Sequence, residues 1–158
     1  MKITKRLLPL IIIGTLAIYG CSKSEPGTDK SINNSDQITL DSGDWTTNKG
    51  VGPITEISLN EVIDEAMVEE GKSIFTTKCS ACHKPNKKYI GPAMADILDR
   101  RTPEWTMNMI LNPDGMVKED PIAKDLLMEY NGTPMANQNL SEDEARAVLE
   151  YIRTLKSE

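Results

Sequence analysis

Histidine is almost missing from this chain of 158 residues, in which His83 is the only one. Cysteine is nearly as rare, with Cys21, Cys79 and Cys82, and aromatic residues make up 4% of the sequence. A tetrahedral zinc site needs four protein ligands, or three and a water molecule. The segment 79–83 supplies three candidate ligands, and elsewhere the chain offers no further histidine and one cysteine, so zinc is the weaker interpretation. Ligation of one metal by two histidines of this chain is excluded for the same reason.

Strand-like alternation of apolar and polar residues is also absent from the sequence, as is any internal repeat. A thioredoxin-like use of two nearby cysteines expects a βαβ context, which the pattern does not provide. Positive charge is in deficit, with a formal net charge of -6. We expect no nucleic-acid partner, because phosphates need Lys and Arg. The acidic balance favours a partner with a basic docking patch, and ordinary solubility is the alternative explanation.

The N-terminus has the pattern of an export signal. Three basic residues precede an apolar run over residues 7–19, which is shorter than the ~20 residues of a helix that crosses a bilayer. Residues 17–21 resemble a lipobox, in which a small residue precedes an acylated cysteine. We predict a lipoprotein signal peptide over residues 1–20 and a lipid anchor at Cys21, on the periplasmic side of a bacterial cell-envelope membrane. An uncleaved anchor helix and a plain secretory signal remain alternatives.

A polar segment separates this signal from the rest of the chain. Ser, Asn, Asp, Gly and Thr dominate residues 21–57, so we predict a lipidated, flexible tether there. Trp45 is unusual in such a segment, and both packing on the domain and contact with a partner stay open. A compact domain is expected over residues 58–158.

Local signals predict that this domain is all-α. Serine, threonine or aspartate at an N-cap, followed by proline at the first helical position or by glutamate three residues on, marks a helix start. The first helix is expected to end near Cys79, and a short helix is expected over residues 94–98. The predicted starts are Ser58 with Glu61, Thr102 with Pro103, Asp120 with Pro121, and Ser141 with Glu144.

The strongest motif is Cys79-Ser80-Ala81-Cys82-His83. C-x-x-C-H is the attachment pattern of c-type haem, because two cysteines at this spacing reach two vinyl groups on one porphyrin edge and the next residue lies under the ring. A disulfide between the cysteines is possible in an oxidising compartment but does not call for the histidine. We predict one haem c attached through Cys79 and Cys82, with His83 as an iron ligand. The haem would also enlarge the core of a small domain.

Residues 64–158 resemble the single-haem class I cytochrome c family. The resemblance implies a small helical domain wrapped around one covalent haem, in which the first and last helices cross closely. It also implies that the Pro92 carbonyl accepts the Nδ1–H of His83, the usual support for a ligating imidazole. Besides the haem motif, the matching features are Gly71, Phe75, Gly91-Pro92, Pro134-Met135, Leu149 and Tyr151. Of these, Gly71 would allow close helix approach and Phe75 would stack on Tyr151.

The second iron ligand is expected to be Met135, since no second histidine exists. Met135 lies in an extended loop before the last helix, where the resembling family carries its methionine. Met116, which follows a glycine in a predicted loop, is a competitor, and an open or other ligand position is a further alternative. Trp105 or Tyr89 is a candidate to hydrogen-bond a haem propionate, with plain packing as the alternative for each.

The adjacent Arg100 and Arg101 are candidates to neutralise propionates or dock a partner, with a solvated charge pair as the alternative.

A haem with His and Met ligands has no open position, so the resemblance implies a monomeric one-electron carrier and not an enzyme. A five-coordinate haem enzyme or gas sensor is the alternative. Parts of residues 101–139 resemble lipoprotein cytochromes that accompany nitrous-oxide reductases. The expected partners are a redox donor and an acceptor, either a nitrous-oxide reductase or a terminal oxidase.

Overall fold

The computed structural model describes residues 44–157. The predicted signal peptide, the lipidation site at Cys21 and residues 21–43 of the predicted tether lie outside the described residues. Within residues 44–157, no helix has the length and apolar character needed to span a membrane.

The regular secondary structure of the described residues consists of five α-helices and two short helical turns, without a strand. The all-α prediction is therefore confirmed. A π-helical turn, Phe75–Cys79, continues the first helix directly, and a single 3₁₀ turn covers Ile97–Asp99. The helices are α1 (Glu65–Ile74), α2 (Pro103–Leu111), α3 (Pro113–Glu119), α4 (Pro121–Glu129) and α5 (Glu142–Thr154).

Three of the four predicted helix starts are confirmed. The Thr102 hydroxyl accepts from the backbone N–H of Trp105 at 3.1 Å, and Asp120 caps α4 in the same way. At the start of α5, Ser141 and Glu144 form both halves of a capping box, at 3.2 and 2.8 Å. Each cap satisfies backbone N–H groups that have no partner inside their helix.

The predicted start at Ser58 is wrong, because the N-cap of α1 lies six residues later. Asp64 is this N-cap, and the carboxylate accepts from the backbone N–H groups of Ala66 and Met67 at 3.0 and 3.1 Å. Residues 58–63 are not helical, and the Arg153 guanidinium donates to the carbonyl of Asn60 at 2.6 Å. That contact with α5 stabilises a backbone conformation that the local pattern does not predict. The short helix expected over residues 94–98 is likewise only the 3₁₀ turn.

Helix α3 was not predicted, although its first residues carry a recognisable signal. Asn112 precedes Pro113 and its side chain accepts from the N–H of Gly115 at 3.3 Å. Met116, expected in a loop, is therefore helical, and none of its surface is exposed.

Helices α1 and α5 cross at Gly71. A Cβ added there would lie 1.9 Å from the backbone oxygen of Ala147, so only glycine allows this approach. Beside the crossing, the rings of Phe75 and Tyr151 lie 5.4 Å apart at 57°, a tilted arrangement that aromatic pairs favour. Both expectations for the crossing are confirmed. The surrounding core consists of Phe75, Ile97, Met107, Ile110, Ala145, Val148, Leu149 and Ile152.

Residues 44–57, called the strap below, lie against α2 rather than projecting as a tether. The Asn108 side chain donates to the carbonyls of Lys49 and Ile54 at 2.9 and 2.8 Å, and accepts from the N–H of Ile54 at 3.0 Å. Trp45 packs against the buried cluster that contains Trp105, so packing on the domain is observed and contact with a partner stays a prediction. The structure thus moves the start of the packed domain from residue 58 to the strap.

Candidate cofactor site

A cavity of about 210 Å³ lies between the turn after α1, helices α2 and α4, and residues 133–138. Cys79, Cys82, His83 and Met135 all line it. The rest of the wall is mainly apolar and includes Phe75, Ile90, Met94, Ile97, Met109, Ile110, Leu126, Leu127, Val148 and Ile152. The chemistry-bearing residues predicted from two distant parts of the sequence therefore meet in one apolar space.

The two cysteines lie at the end of the π-helical turn. The backbone N–H groups of Cys82 and His83 both donate to the carbonyl of Cys79, at 3.0 and 2.9 Å, which keeps the motif compact. Both thiols are free, with Cys79 half-buried and Cys82 exposed. Burial raises the pKa of the Cys79 thiol, and the neighbouring Lys78 opposes this.

The His83 imidazole is held from two sides. Its Nδ1 lies 3.1 Å from the carbonyl oxygen of Pro92, and because a carbonyl only accepts, Nδ1 carries the proton and Nε2 has the free lone pair. A Cβ added to Gly91 would lie 2.5 Å from Cε1 of the imidazole. Burial lowers the pKa of His83, against the opposing effect of the Pro92 bond. The ring is thus neutral, oriented and able to bind a metal through Nε2.

Met135 reaches the cavity from a loop that is stiffened by its own side chains. The Asn137 carboxamide donates to the carbonyl of Leu111 at 3.4 Å and accepts from the N–H of Asn139 at 2.7 Å. Met94 and Met109 also line the cavity. The competitor Met116 does not, and its Sδ accepts from a strap N–H at 3.0 Å.

Trp105 and Tyr89 differ in whether they line the cavity. Trp105 lines the cavity, but its indole N–H donates to Asp120 at 3.0 Å and is therefore engaged away from any propionate. Tyr89 is 55% exposed and is not part of the cavity wall, and the Lys84 ammonium lies 5.0 Å from its ring. The indole N–H of Trp105 is thus already engaged, and a propionate contact by either side chain stays a prediction.

Arg100 and Arg101 both line the cavity but differ in their partners. Arg100 is committed to three backbone carbonyls, at 2.8 to 3.3 Å. The Nε of Arg101 is buried without a hydrogen-bond partner, and burial lowers the pKa of this guanidinium. A buried unpaired donor is costly, and an anionic group in the cavity would satisfy it.

The wall therefore fits the predicted haem on four counts. It has two thiols for attachment, an oriented imidazole, a thioether, and an orphaned cationic donor suited to a propionate. The sequence analysis did not identify Tyr130 and Gln138, which also line the cavity. Their positions, at the end of α4 and beside Met135, are the only sequence signals that could have identified them.

Comparisons with known proteins agree with this geometry. The sequence matches the family Cytochrome c over residues 68–156. A solved cytochrome c from Rhodothermus marinus is 46% identical, with a TM-score of 0.64 over 66% of this chain and 89% of that chain. An engineered form, Rma TDE, is 45% identical with a TM-score of 0.63, covering 66% and 90%. The same engineered cytochrome bound to a carbene intermediate is 46% identical with a TM-score of 0.61, covering 66% and 89%. Comparison with curated proteins gave no significant match.

Proposed function

This chain belongs to the cytochrome c family, and from that membership we propose that it is a one-electron carrier whose haem iron is bound by His83 and Met135. Family membership implies a covalently bound haem c, for which Cys79 and Cys82 have the attachment spacing. The observation that carries the proposal is that an oriented imidazole and a loop thioether line the same apolar cavity.

When bound, the haem supplies an iron centre that cycles between ferric and ferrous states. The protein's own residues orient and insulate it. Pro92 and Gly91 hold the imidazole of His83 in one tautomer and one orientation. Thioether ligation by Met135 and the apolar wall both raise the reduction potential, since each disfavours the extra charge of the oxidised state. If His83 and Met135 both bind the iron, the protein leaves no position on it for a substrate.

The ligand assignment is tested by replacing the loop methionine. In Met135→Ala, the absorption band that reports methionine–iron charge transfer should disappear from the oxidised protein. Met116→Ala is a control, because it removes a methionine that lies outside the cavity, and it should keep the band. A Met135→Ala protein that retains the band would contradict the assignment.

Carbon monoxide binding separates a carrier from a five-coordinate haem enzyme or gas sensor. We expect the ferrous wild-type protein to bind carbon monoxide slowly and weakly, because Met135 must first leave the iron. The Met135→Ala protein should bind it rapidly. Rapid, tight binding by the wild type would overturn the carrier assignment and favour the alternative.

We also propose that the mature protein is anchored by lipid at Cys21 on the periplasmic side of a bacterial envelope membrane. The support is the lipobox-like segment before Cys21. Labelling of growing cells with a radioactive fatty acid should mark the wild-type protein and leave Cys21→Ser unlabelled. Label on the serine variant would refute the site.

The electron acceptor is proposed to be a nitrous-oxide reductase or a terminal oxidase. Although the whole chain is acidic, the charged residues that line the cavity are cationic, namely Lys78, Arg100 and Arg101. The ammonium of Lys88 lies 4.1 Å from the ring of Tyr130, another lining residue, but it is paired with Glu129 at 3.1 Å. Exposed Ile90 provides an apolar contact beside them. The local charge therefore suits an acceptor with an acidic docking face, in contrast to the basic patch that net charge alone favours.

Electron transfer from the reduced protein to each purified enzyme tests this partner proposal. Lys78→Glu should slow the second-order rate at low salt, and added salt should reduce the difference from wild type. Lys118→Glu makes the same charge change on α3, away from the cavity wall, and should have a much smaller effect. Failure of the reduced protein to donate to either enzyme would remove both as partners.

A further inference from the structure

A buried carboxylate connects the strap to the wall of the cofactor cavity. Asp120 is 3% exposed, and both of its oxygens accept hydrogen bonds. Oδ1 accepts from the indole of Trp105 at 3.0 Å and from the N–H of Ala123 at 2.8 Å. Oδ2 accepts from the Asn48 carboxamide at 2.7 Å. The cap of α4 accounts for only one of these three bonds.

The charge of Asp120 has no paired cation. Among the residues that the structure describes, none of the ion pairs includes this carboxylate. Its three hydrogen-bond partners are neutral N–H donors, and the Arg101 guanidinium interacts with the carboxylate through space without forming an ion pair. Trp105 and Ala123 lie between that carboxylate and the cavity, since each donates an N–H to Oδ1 and each lines the cavity. The guanidinium of Arg101 lies 5.2 Å from the Trp105 ring.

Asn48 closes the outer side of this carboxylate. Its carbonyl accepts from the Thr102 hydroxyl at 2.6 Å, and its side-chain oxygen accepts from the N–H of Gly50 at 2.7 Å. The side-chain NH₂ group is thus aimed at Asp120 by the fold of the strap. While the strap lies in this position, which is called seated below, the Asn48 side chain covers Oδ2 of Asp120. Without that contact, water solvates the carboxylate.

We propose that Asp120 is a positioning residue that lowers the reduction potential of the bound haem, and that the seated strap sets the strength of this effect. The inference rests on the proposed one-electron chemistry. A negative charge close to the cavity stabilises the oxidised haem, whose net charge is more positive than that of the reduced haem. Water admitted beneath an unseated strap screens the charge and weakens its effect. Movement of the strap would thereby alter the driving force for electron transfer.

Reduction potentials of four full-length, haem-loaded proteins test the proposal. Asp120→Asn removes the charge and should favour reduction by about tenfold, a rise of about 59 mV for a one-electron couple. Asn48→Ala keeps the charge and opens Oδ2 to water, so it should favour reduction by roughly threefold. In the double variant, Asn48→Ala should add nothing, because the charge that water would screen is gone.

Thr47→Ala is the matched control, since this exposed strap threonine bonds only to the carbonyl of Asp44 at 3.2 Å and should leave the potential unchanged. An unchanged potential in Asp120→Asn, or an equal effect of Asn48→Ala in both backgrounds, would overturn the inference. Should Asp120→Asn fail to fold, an unchanged potential in Asn48→Ala alone refutes the role of the strap. These outcomes differ from failure of the proposed function, which would appear in wild type as missing haem or as rapid carbon monoxide binding.

Discussion

Replacing Gly71 with alanine tests the helix crossing on which the cavity depends. The added Cβ would lie 1.9 Å from the backbone oxygen of Ala147, whereas Cβ atoms essentially never approach another heavy atom within 3.0 Å. Rotation of a side chain cannot relieve a clash with backbone, so α1 and α5 must separate by at least about 1 Å. Phe75 lies on the element that continues α1 and faces Tyr151 of α5, so its packing should loosen as well.

Three effects determine the expected change in the free energy of unfolding, of which two lower it and one raises it. Overpacking of a core costs about 1–3 kcal/mol and more where backbone must move, and weakening of the aromatic pair adds about 0.5–1.5 kcal/mol. Alanine recovers about 1 kcal/mol through its higher helix propensity. The net expectation for Gly71→Ala is a loss of about 0.5–3.5 kcal/mol, in the upper part of that range because backbone must move, and this is a large fraction of the stability of a small domain.

Guanidinium unfolding of the haem-loaded protein, followed by tryptophan fluorescence, measures this loss. Ser73→Ala is a suitable control, because it introduces alanine at an exposed position of the same helix, and it should change the free energy of unfolding by less than about 0.5 kcal/mol. If Gly71→Ala were as stable as Ser73→Ala, the close crossing would not exist in solution.

Three further substitutions have defined outcomes. Gly91→Ala should cost about 1–3 kcal/mol in the same unfolding assay and alter the visible spectrum, because its Cβ would displace the imidazole of His83; an unchanged spectrum would contradict this. Asn108→Ala should speed hydrogen exchange at Ile54, since it removes three hydrogen bonds to the strap, while exchange in α5 stays slow; unaltered exchange at Ile54 would argue against strap anchoring. Glu150→Gln should lower stability by about 3 kcal/mol, because this 1% exposed carboxylate contacts two arginines at 2.7 and 2.6 Å; stability equal to wild type would show that the arginines find other partners.

Helix starts could be predicted wherever the signal and its target lie within a few residues. Thr102 caps α2 through an N–H three residues ahead, and neither group depends on the rest of the fold. Asn112 before Pro113 is a signal of the same kind, so α3 could have been found by the same rule. The pattern at Ser58 shows the limit of such reasoning. There the Arg153 guanidinium donates to the carbonyl of Asn60, 93 residues away in sequence. The residues between Ser58 and Asp64 are not helical.

Site residues could be predicted from the sequence where they lie within one short motif. Cys79, Cys82 and His83 form one short motif, and the cavity contains all three. Met135 required the family resemblance, because nothing near it in sequence shows that its loop returns to the cavity. The distinction between Arg100 and Arg101 required the structure. The two arginines are adjacent in sequence and alike in chemistry. Only the structure shows that Arg100 donates to backbone carbonyls, whereas Nε of Arg101 has no hydrogen-bond partner.

Asp120 shows why local sequence patterns do not predict hydrogen bonds between residues that are distant in sequence. Its position before a proline predicts an N-cap, and the bond to Ala123 confirms it. A cap needs only one acceptor contact, so the pattern says nothing about the carboxylate's other bonds. Those come from Trp105, 15 residues earlier, and Asn48, 72 residues earlier. Because one oxygen serves both the cap and the indole, the start of α4 and the position of the cavity wall are mechanically linked. A substitution chosen only to weaken the cap would therefore also disturb the cofactor site.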